Sequence, residues 1–403
     1  MALIVQKYGG SSVADAKRIR KIARRVVRAK NEGDQVVVVV SAMGDSTDDL
    51  IRLAYQVTED PGERELDVLL STGEVVSSTL LAMALESLGS KSVSLTGAQA
   101  GIRTDAVYSR ARILNIAPNR IVSEMEKGNI VIVAGFQGMT GEMDITTLGR
   151  GGSDTTAVAL AISLDAELCQ IYTDVEGVYT ADPHLVPEAS KLEKIGYEEM
   201  LELASYGARV VHPRAVELGE LYNMPILVAS SFSDKPGTVI CKEAVMEVKS
   251  KVRGIAHDTN VSKITVVGVP DHPGIAAAIF EPLARANISV DTIVQNASIE
   301  NITDLSFTVA RNDLIKAMSI VEPVAKDVGG KQCVSDSTLA KVSIVGTGMQ
   351  NTPGYAAKMF KTLREQGINI QLITTSEIRI TCIISEDKIE DAVRALHRAF
   401  ELE

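Results

Sequence analysis

Residues 3–12 of the chain, Leu3-Ile-Val-Gln-Lys7-Tyr8-Gly9-Gly10-Ser11-Ser12, form a short β-branched run that leads into a glycine loop. An amphipathic pattern over Val13–Lys30 and a second apolar run, Gln35–Ser41, follow it. A strand, a helix and a second strand in this order predict a parallel βαβ unit. The five consecutive valines of Val36–Val40 are typical of a strand that is buried on both faces.

The same alternation of strands and helices continues through residues 1–240 and predicts an α/β fold with a mostly parallel sheet. In such sheets ligands bind beyond the carboxyl ends of the strands, where the glycine-rich segments of this chain fall. A second amphipathic helix is expected over Glu74–Leu88. The further expected strands are Lys91–Thr96, Asn129–Gly135, Leu168–Thr173 and Pro225–Val228.

An internal repeat occupies the last third of the chain. Lys263–Gly268 resembles Lys341–Gly346 at an offset of 78 residues, and Pro273-Gly274 matches Pro353-Gly354 at an offset of 80. Each copy is expected to run strand, helix, strand, strand, helix, with its proline in the first helical turn, where a missing N–H costs nothing.

The second copy reaches Glu403 directly after its last helix, whereas the first has a closing strand candidate at Lys331–Ser335. We therefore predict that Val252–His257 supplies the strand that the second copy lacks, so that the first copy is inserted in the second. The predicted domains are 1–245, 263–337 for the inserted copy, and 246–262 plus 338–403 for the second copy.

Composition narrows the class of protein. A formal net charge of −11 over 403 residues argues against a nucleic-acid partner, because phosphate binding needs a basic surface. The basic segment Lys17–Lys30 has an apolar helical face and is interpreted as the solvated side of a surface helix. The four cysteines show no CxxC spacing and the five histidines no HxxxH pair, so no metal site or disulfide is predicted.

The beginning of the chain has no basic segment ahead of an apolar core, so it does not resemble a signal peptide. No uninterrupted apolar run approaches the ~20 residues that cross a bilayer. We therefore expect a cytoplasmic protein without a membrane partner.

Two glycine-rich motifs carry the predicted chemistry. In the first, Lys7 and the N–H groups around Gly9-Gly10 are suited to phosphate, although a plain turn with Ser11 or Ser12 as a helix cap remains an alternative. The second runs Gly149-Arg150-Gly151-Gly152-Ser153-Asp154. Its arginine is suited to a bidentate grip on a carboxylate, and Asp154 could receive an ammonium or, like Ser153, simply cap a helix.

A third motif, Tyr172–Pro183, combines aromatic, hydroxyl and acidic side chains after a strand, which suits a nucleotide or a polar loop equally well. Together with SAMGDSTD at 41–48 and TGE at 72–74, the three motifs resemble the aspartate kinases of the amino-acid kinase family, which carry tandem ACT domains. The resemblance covers the whole chain and is strongest to the bacterial enzymes that lysine and threonine inhibit jointly.

This resemblance implies the three-layer sandwich of the amino-acid kinases followed by two βαββαβ ACT domains. It also implies phosphoryl transfer from ATP, with Mg²⁺, to L-aspartate as a step in lysine, threonine and methionine biosynthesis. A carboxylate acceptor is already ionised at pH 7, so no general base is required. The implied catalytic residues are Lys7 and Asp154. The implied ATP-binding residues are Lys7, Tyr8, Gly9, Gly10, Ser41, Thr173, Asp174, Tyr179, Thr180, Ala181, Asp182, Pro183, His184 and Arg209. The implied aspartate-binding residues are Thr47, Glu74, Arg150, Gly151, Gly152 and Ser153.

At Arg209 many relatives have lysine. The resemblance places effector contacts for lysine, threonine or both at Asp271, Ile288, Ser289, Val290, Gln295, Asn369, Ile370, Ser376 and Glu377. It further implies a homo-oligomer formed through the ACT domains and, because Met246 precedes the repeats, a possible separate regulatory subunit. Two other functions stay open: a kinase for glutamate, acetylglutamate or a nucleotide, and an amino-acid sensor without catalysis.

Overall fold

The computed structural model describes residues 2–208, 210–242, 252–296, 301–349 and 352–403. Arg209 and Met246, which the sequence analysis singled out, lie outside these ranges. The contacts divide the chain into two compact units, Met1–Tyr179 with Lys191–Glu247 and Thr180–Ser190 with Val248–Glu403.

The first unit is built on one large sheet and one small sheet. Its strands are β1 (Leu3–Tyr8), β2 (Gln35–Val40), β3 (Ser92–Leu95), β4 (Ile102–Thr104), β5 (Ile113–Ile116), β6 (Ile130–Ala134), β7 (Gln137–Met139), β8 (Ile145–Thr147), β9 (Leu168–Thr173), β10 (Lys194–Ile195), β11 (Ile226–Ser230) and β12 (Thr238–Ile240). Its helices are α1 (Ala16–Asn31), α2 (Ser46–Val57), α3 (Glu63–Ser87), α4 (Asn119–Glu126), α5 (Gly152–Ser163), α6 (Tyr197–Ser205) and α7 (Pro213–Leu221).

The large sheet has the strand order β10-β12-β11-β9-β1-β2-β6-β3. The strand β1 pairs in parallel with β2 on one side and with β9 on the other, and β12 is antiparallel to β11. The prediction of a mostly parallel α/β sheet is thereby confirmed. Val36–Val40 are buried on both faces, as their uninterrupted apolar run indicated.

Two helix starts differ from the prediction. Helix α1 begins at Ala16 rather than Val13, because Asp15 is its N-cap and accepts a hydrogen bond from the Arg18 N–H at 2.8 Å. Helix α3 begins at Glu63, eleven residues before the expected Glu74, directly after Pro61-Gly62. The sequence pattern did not predict the longer helix because Gly73 lies inside it. A glycine is needed there, since a Cβ at Gly73 would come within 2.8 Å of Ala42 Cβ.

The small sheet, in the order β5-β4-β7-β8, was not predicted. Its strands have only three or four residues each, too few for a period-of-two pattern to be recognised. It nevertheless matters for the site, because β8 ends at Thr147, just before the motif that contains Arg150.

By length and composition, α3 could cross a membrane, and 44% of its most apolar window is buried. The sequence did not indicate a helix of this length and hydropathy, because only uninterrupted apolar runs were counted and polar residues interrupt α3. The buried side of this helix carries Asp67 and Glu74, and both carboxylates accept hydrogen bonds from backbone N–H groups of the same unit. These contacts identify α3 as a core helix of the first unit.

The second unit has one six-stranded antiparallel sheet in the order β14-β15-β13-β16-β18-β17. Its strands are β13 (Gly254–Pro270), β14 (Val290–Gln295), β15 (Ile302–Val309), β16 (Gln332–Val345), β17 (Leu372–Thr375) and β18 (Arg379–Ser385), and its helices are α8 (Ile275–Arg285), α9 (Leu314–Asp327), α10 (Tyr355–Glu365) and α11 (Ile389–Ala399).

Both repeats share the long strands β13 and β16. The first part of β13 pairs with the second copy, with Gly254 opposite Val345 and His257 opposite Val342. The predicted pairing of the segment upstream of the first copy is therefore confirmed. The prolines are not in the first helical turn as expected, because Gly274 and Gly354, at φ of 100° and 108°, are the N-caps and each proline precedes its cap.

The segment Thr180–Ser190 belongs to the second unit, although the predicted boundary at 245 kept it with the first. The reason is burial, since Ala181 and Val186 lie in the apolar core formed by β16, β18, α10 and α11. The Thr180 hydroxyl also bonds to His397 Nε2 at 2.9 Å and to the Leu402 carbonyl at 3.0 Å.

Candidate active site

The centre of the candidate site is an ion pair at the carboxyl end of β1. Lys7 Nζ lies 2.6 Å from Asp154 Oδ1, and both side chains are about nine-tenths buried. Asp154 stands in the first turn of α5, and its Oδ2 accepts the backbone N–H of His212 at 3.2 Å. The ammonium that Asp154 holds in this structure is thus that of Lys7, whereas the sequence had suggested a substrate ammonium.

The glycine loop after β1 lies close to the turn that follows β2. A Cβ at Gly10 would come within 3.0 Å of the Ala42 carbonyl oxygen, and a Cβ at Gly9 would lie 3.5 Å from Lys7 Nζ. The Gly9 N–H donates to the Tyr172 carbonyl at 3.2 Å, and the Ser41 N–H donates to the Tyr8 carbonyl at 3.1 Å. The lysine ammonium therefore lies beside the main chain of the glycine loop, as expected for a phosphate site.

Glu74 lies on the buried side of α3 and is only 3% exposed. Its Oε1 accepts the Ala42 N–H at 3.0 Å, whereas Oε2 is buried without a hydrogen-bond partner among the described residues. Burial raises the pKa of this carboxyl to about 8. A buried oxygen without a donor is costly unless a ligand supplies one, so Glu74 is a candidate for binding a cation.

The loop with Arg150 has two residues in the left-handed region, Gly149 at φ 77° and Gly151 at φ 71°. A Cβ at Gly151 would come within 2.1 Å of the His212 ring, so glycine is required there for both backbone and space. Gly151, rather than Ser153 or Asp154, is the N-cap of α5. His212 was not singled out from the sequence, since nothing local marks it.

Arg150 is exposed and lines a cleft of about 1020 Å³. The residues that line this cleft also include Arg110, Arg112 and Arg214, but not Lys7, Glu74 or Asp154. Arg150 is therefore connected to the Lys7–Asp154 pair through the backbone of the loop, and among the described residues the hydrogen-bond and ion-pair partners found for Asp154 are His212 and Lys7.

Residues at the carboxyl ends of the neighbouring parallel strands lie at the same edge of the sheet as the end of β1. Thr173 ends β9, and its carbonyl accepts the Ser231 hydroxyl at 3.1 Å, while the Ser12 hydroxyl donates to that of Ser231 at 2.8 Å. Sequence reasoning missed Ser231, which follows β11 without a glycine-rich motif. The parallel order of β11, β9, β1 and β2 brings these residues to one edge.

Tyr8 is fully buried, and its ring stacks on that of Tyr172 with centroids 5.0 Å apart. A nucleotide contact from Tyr8 would thus have to come from its main chain. Asp174 is exposed and accepts the Thr173 hydroxyl at 3.0 Å, and Tyr179 forms an isolated β-bridge with Lys191.

The other expected nucleotide residues lie elsewhere. Thr180, Ala181, Asp182, Pro183 and His184 are in the segment that packs in the second unit, and Arg209 is outside the described residues. Asp182 Oδ1 accepts both the backbone N–H and the ring Nδ1 of His184 at 2.9 Å. Their nucleotide role rests on the family resemblance.

Two residues of the expected effector site, Asp271 and Gln295, are in contact in the second unit. Gln295 Nε2 donates to Asp271 Oδ1 at 3.3 Å, and Ile288 is buried in an apolar core just before β14. Ser289 is exposed, and Val290 begins β14. In the second copy Asn369 is exposed, Ile370 packs on the core, and Ser376 and Glu377 lie in the exposed turn between β17 and β18.

No group of three or more His, Cys, Asp or Glu side chains among the described residues could hold a metal ion. A divalent ion at this site would therefore take most of its ligands from the phosphates of a bound nucleotide and from water, as Mg²⁺ commonly does.

Comparison with known families and structures gives a consistent result. The amino acid kinase family matches residues 2–230, and the ACT domain matches residues 264–323 and 342–400. An aspartokinase from Mycolicibacterium smegmatis is 50% identical over 408 residues, which covers 100% of this chain and 97% of the relative. An aspartokinase from Pseudomonas aeruginosa is 51% identical over 406 residues, covering 100% of this chain and 98% of the relative.

A solved structure of E. coli aspartokinase III in complex with lysine and aspartate superposes with a TM-score of 0.77 at 25% identity, covering 99% of each chain. The expected kinase fold with ACT domains is thereby confirmed. Since a family profile covers more than half of the chain and relatives about 50% identical cover all of it, the chain belongs to the aspartokinases, the allosteric aspartate kinases of the amino acid kinase family.

Proposed function

We propose that the first unit transfers the γ-phosphoryl group of ATP to the side-chain carboxylate of L-aspartate. A carboxylate oxygen forms a bond to the γ-phosphorus, the bond to the β–γ bridging oxygen breaks, and the products are ADP and 4-phospho-L-aspartate. The observation that carries the assignment of the acceptor is the buried Oε2 of Glu74, which has no hydrogen-bond donor among the described residues.

Glu74 binds the α-ammonium of aspartate. Its Oε1 is held by the Ala42 N–H, so the carboxylate presents Oε2 in a fixed direction. An ammonium supplies the missing donor and the opposite charge, both of which favour the ionised carboxylate. Arg150 grips a carboxylate of the same substrate, and Thr47 on α2 with Gly151, Gly152 and Ser153 at the start of α5 forms the rest of its surroundings.

Lys7 neutralises charge on the transferring phosphoryl group. Its ammonium lies beside Gly9 and is fixed by Asp154 at 2.6 Å, so it meets the phosphates without reorganisation. Asp154 contributes to the reaction by fixing the position of the Lys7 ammonium. Its buried carboxylate also accepts a hydrogen bond from the His212 N–H. Charge neutralisation and alignment account for catalysis here, because the acceptor is already an anion at pH 7.

ATP lies along the carboxyl edge of the sheet, over the main chain of Tyr8, Gly9 and Gly10 and near Ser41, with Thr173, Asp174 and Tyr179 beside it. Mg²⁺ would be held mainly by the nucleotide and water, since the described residues form no acidic cluster for it, and it would supply neutralisation of the phosphate charge. The roles of Thr180–His184 and Arg209 in ATP binding are proposed from the family resemblance alone.

The second unit senses amino acids. The E. coli relative was solved with lysine, and we propose lysine, threonine or both as effectors of this chain. The contact between Asp271 and Gln295 supports an amino-acid site at the end of β14, since a carboxylate and an amide suit an ammonium and a carboxylate. We also propose a cytoplasmic homo-oligomer formed through the ACT domains, with a regulatory subunit that starts at Met246 as a variant.

One experiment tests these points together. Purified protein is assayed for ADP formation with aspartate, glutamate, acetylglutamate or UMP as the acceptor, and then with lysine, threonine, both or neither. Turnover only with aspartate supports the proposal, and inhibition by either effector supports the sensing role. Effector binding without any turnover would identify a non-catalytic sensor instead.

A further inference from the structure

A second carboxylate on α3, Asp67, has no part in the proposed chemistry but is completely buried. Among the described residues, Ser109 and Thr147 each donate to it through a backbone N–H and a hydroxyl group. The Ser109 N–H lies 2.9 Å from Oδ2 and the Ser109 hydroxyl 3.3 Å from Oδ1. The Thr147 N–H lies 2.8 Å from Oδ2 and the Thr147 hydroxyl 2.7 Å from Oδ1.

Both residues lie next to the turn at Leu148-Gly149, where the loop that carries Arg150 begins. Thr147 ends β8 and is separated from Arg150 by Leu148 and Gly149. Ser109 is held at φ 63°, and a Cβ at Gly149 would come within 2.9 Å of the Ser109 carbonyl oxygen. Asp67 therefore fixes both the strand that enters the turn and the backbone against which Gly149 packs.

Arg214, in the first turn of α7, also contacts this turn. Its guanidinium donates to the Leu148 carbonyl at 2.7 Å and to the Ala111 carbonyl at 3.1 Å, while the Ala111 N–H donates to the Thr147 carbonyl at 2.9 Å. Up to Leu148, the chain that leads to Arg150 is thus fixed by side chains and by backbone bonds. Beyond Leu148, the left-handed conformations of Gly149 and Gly151 set the path of the backbone on either side of Arg150.

Helix α3 connects this turn to Glu74, the residue proposed to bind the ammonium of the substrate. Asp67 and Glu74 are seven residues apart, about two turns, so they lie on the same face of one helix. We propose that Asp67 is a positioning residue that fixes the Arg150 loop relative to Glu74, so that the ammonium and a carboxylate of one small amino acid are held at a set separation. This inference rests on the proposed roles of Glu74 and Arg150.

The chemistry of the contact explains why a carboxylate is required. All four donors point at Asp67, and an ionised carboxylate is purely an acceptor. Asparagine has almost the same shape, but its NH₂ group would face the N–H groups of Ser109 and Thr147 at the Oδ2 position. At the Oδ1 position the two hydroxyls could rotate to accept from it, but the Ser109 N–H, 3.1 Å away, could not. The Asp67→Asn variant therefore leaves the fold in place while it loosens one side of the turn.

The test compares Asp67→Asn with Thr147→Val, which removes one donor to the same carboxylate, and with Thr147→Ser, which keeps it. Glu124→Gln is the matched control, because Glu124 is a buried carboxylate of the same unit that bonds to Lys127 and Asn129, away from this turn. Steady-state kinetics give kcat and the KM values for aspartate and for ATP.

We expect Asp67→Asn to raise the KM for aspartate by about 10- to 100-fold, the usual effect of one lost charge-assisted hydrogen bond, with kcat and the KM for ATP changed less than about threefold. Thr147→Val should change the same parameter by a smaller factor, and Thr147→Ser and Glu124→Gln should leave it near the wild-type value. Combined with Arg150→Ala, Asp67→Asn should add little, because it acts through that arginine.

Hydrogen exchange of the peptide 145–152 provides a readout that does not depend on activity. Asp67→Asn should speed its exchange, while a β9 peptide and the Glu124→Gln protein stay unchanged. Unchanged exchange at 145–152, or full additivity with Arg150→Ala, would overturn the proposal. If the wild type does not phosphorylate aspartate, the proposed function fails, and the exchange result still decides whether Asp67 positions the loop.

Discussion

Glu74 should make aspartate binding depend on pH in a direction that the structure determines. The free carboxyl has a pKa of about 8, and binding of an ammonium needs the ionised form. About one-tenth of the sites are ionised at pH 7 and about one-hundredth at pH 6. The KM for aspartate should therefore fall about tenfold from pH 6 to pH 7 and level off above about pH 8, with kcat much less affected.

The Glu74→Gln variant isolates this effect. It keeps an oxygen for the Ala42 N–H but cannot ionise, so its KM for aspartate should be about 10- to 100-fold higher than that of the wild type at pH 8 and nearly independent of pH. The assay is coupled ADP formation at saturating ATP between about pH 6 and about pH 8.5, with the Glu124→Gln protein as control. A wild-type KM that varied less than about twofold over this range would refute the reasoning.

The same pKa has a consequence for stability. Because the folded-state pKa lies above the usual glutamate value of 4.5, the protonated form is favoured by folding, and this stability is present below pH 4.5 and lost as the pH rises towards 8. Urea unfolding should show that the wild type loses on the order of a few kcal/mol relative to Glu74→Gln between about pH 5 and about pH 8. Aspartate should restore part of this loss in the wild type only.

Four further substitutions test the proposed roles and one contact of the second unit. Lys7→Ala should lower kcat by at least about 100-fold with little change in the KM for aspartate, whereas Arg150→Ala should mainly raise that KM; an active Lys7→Ala enzyme would argue against the mechanism. Gly151→Ala should abolish aspartate turnover, because a Cβ there would lie 2.1 Å from the His212 ring at a φ of 71°, and normal kinetics would contradict the close approach. Thr180→Val should reduce the free energy of unfolding by about 1–3 kcal/mol, since it removes the hydroxyl that bonds to His397; a denaturation midpoint equal to that of the wild type would show that this contact contributes nothing.

The catalytic sheet and the motifs could be recognised without coordinates because their patterns are local. The strand Leu168–Thr173 was predicted with its observed ends, and the valine run correctly indicated a central strand. The pairing of the segment upstream of the first copy was also predictable, since a count of strands per copy showed that one was missing. Short polar strands such as β8 left no such pattern, and the extent of α3 was obscured by Gly73.

The sequence by itself determined the fold class and the order of the motifs, because strand periodicity and glycine spacing are properties of neighbouring residues. The roles predicted for Lys7 and Arg150 came from the same motifs, and the role predicted for Glu74 came from the family resemblance. Only the tertiary structure showed that Asp154 holds Lys7, that a Glu74 oxygen has no donor among the residues that the structure describes, and that Asp67 connects residues 109 and 147. It alone assigned Thr180–Ser190 to the second unit. These contacts join residues far apart in the chain, and their strength depends on burial, which no local pattern encodes.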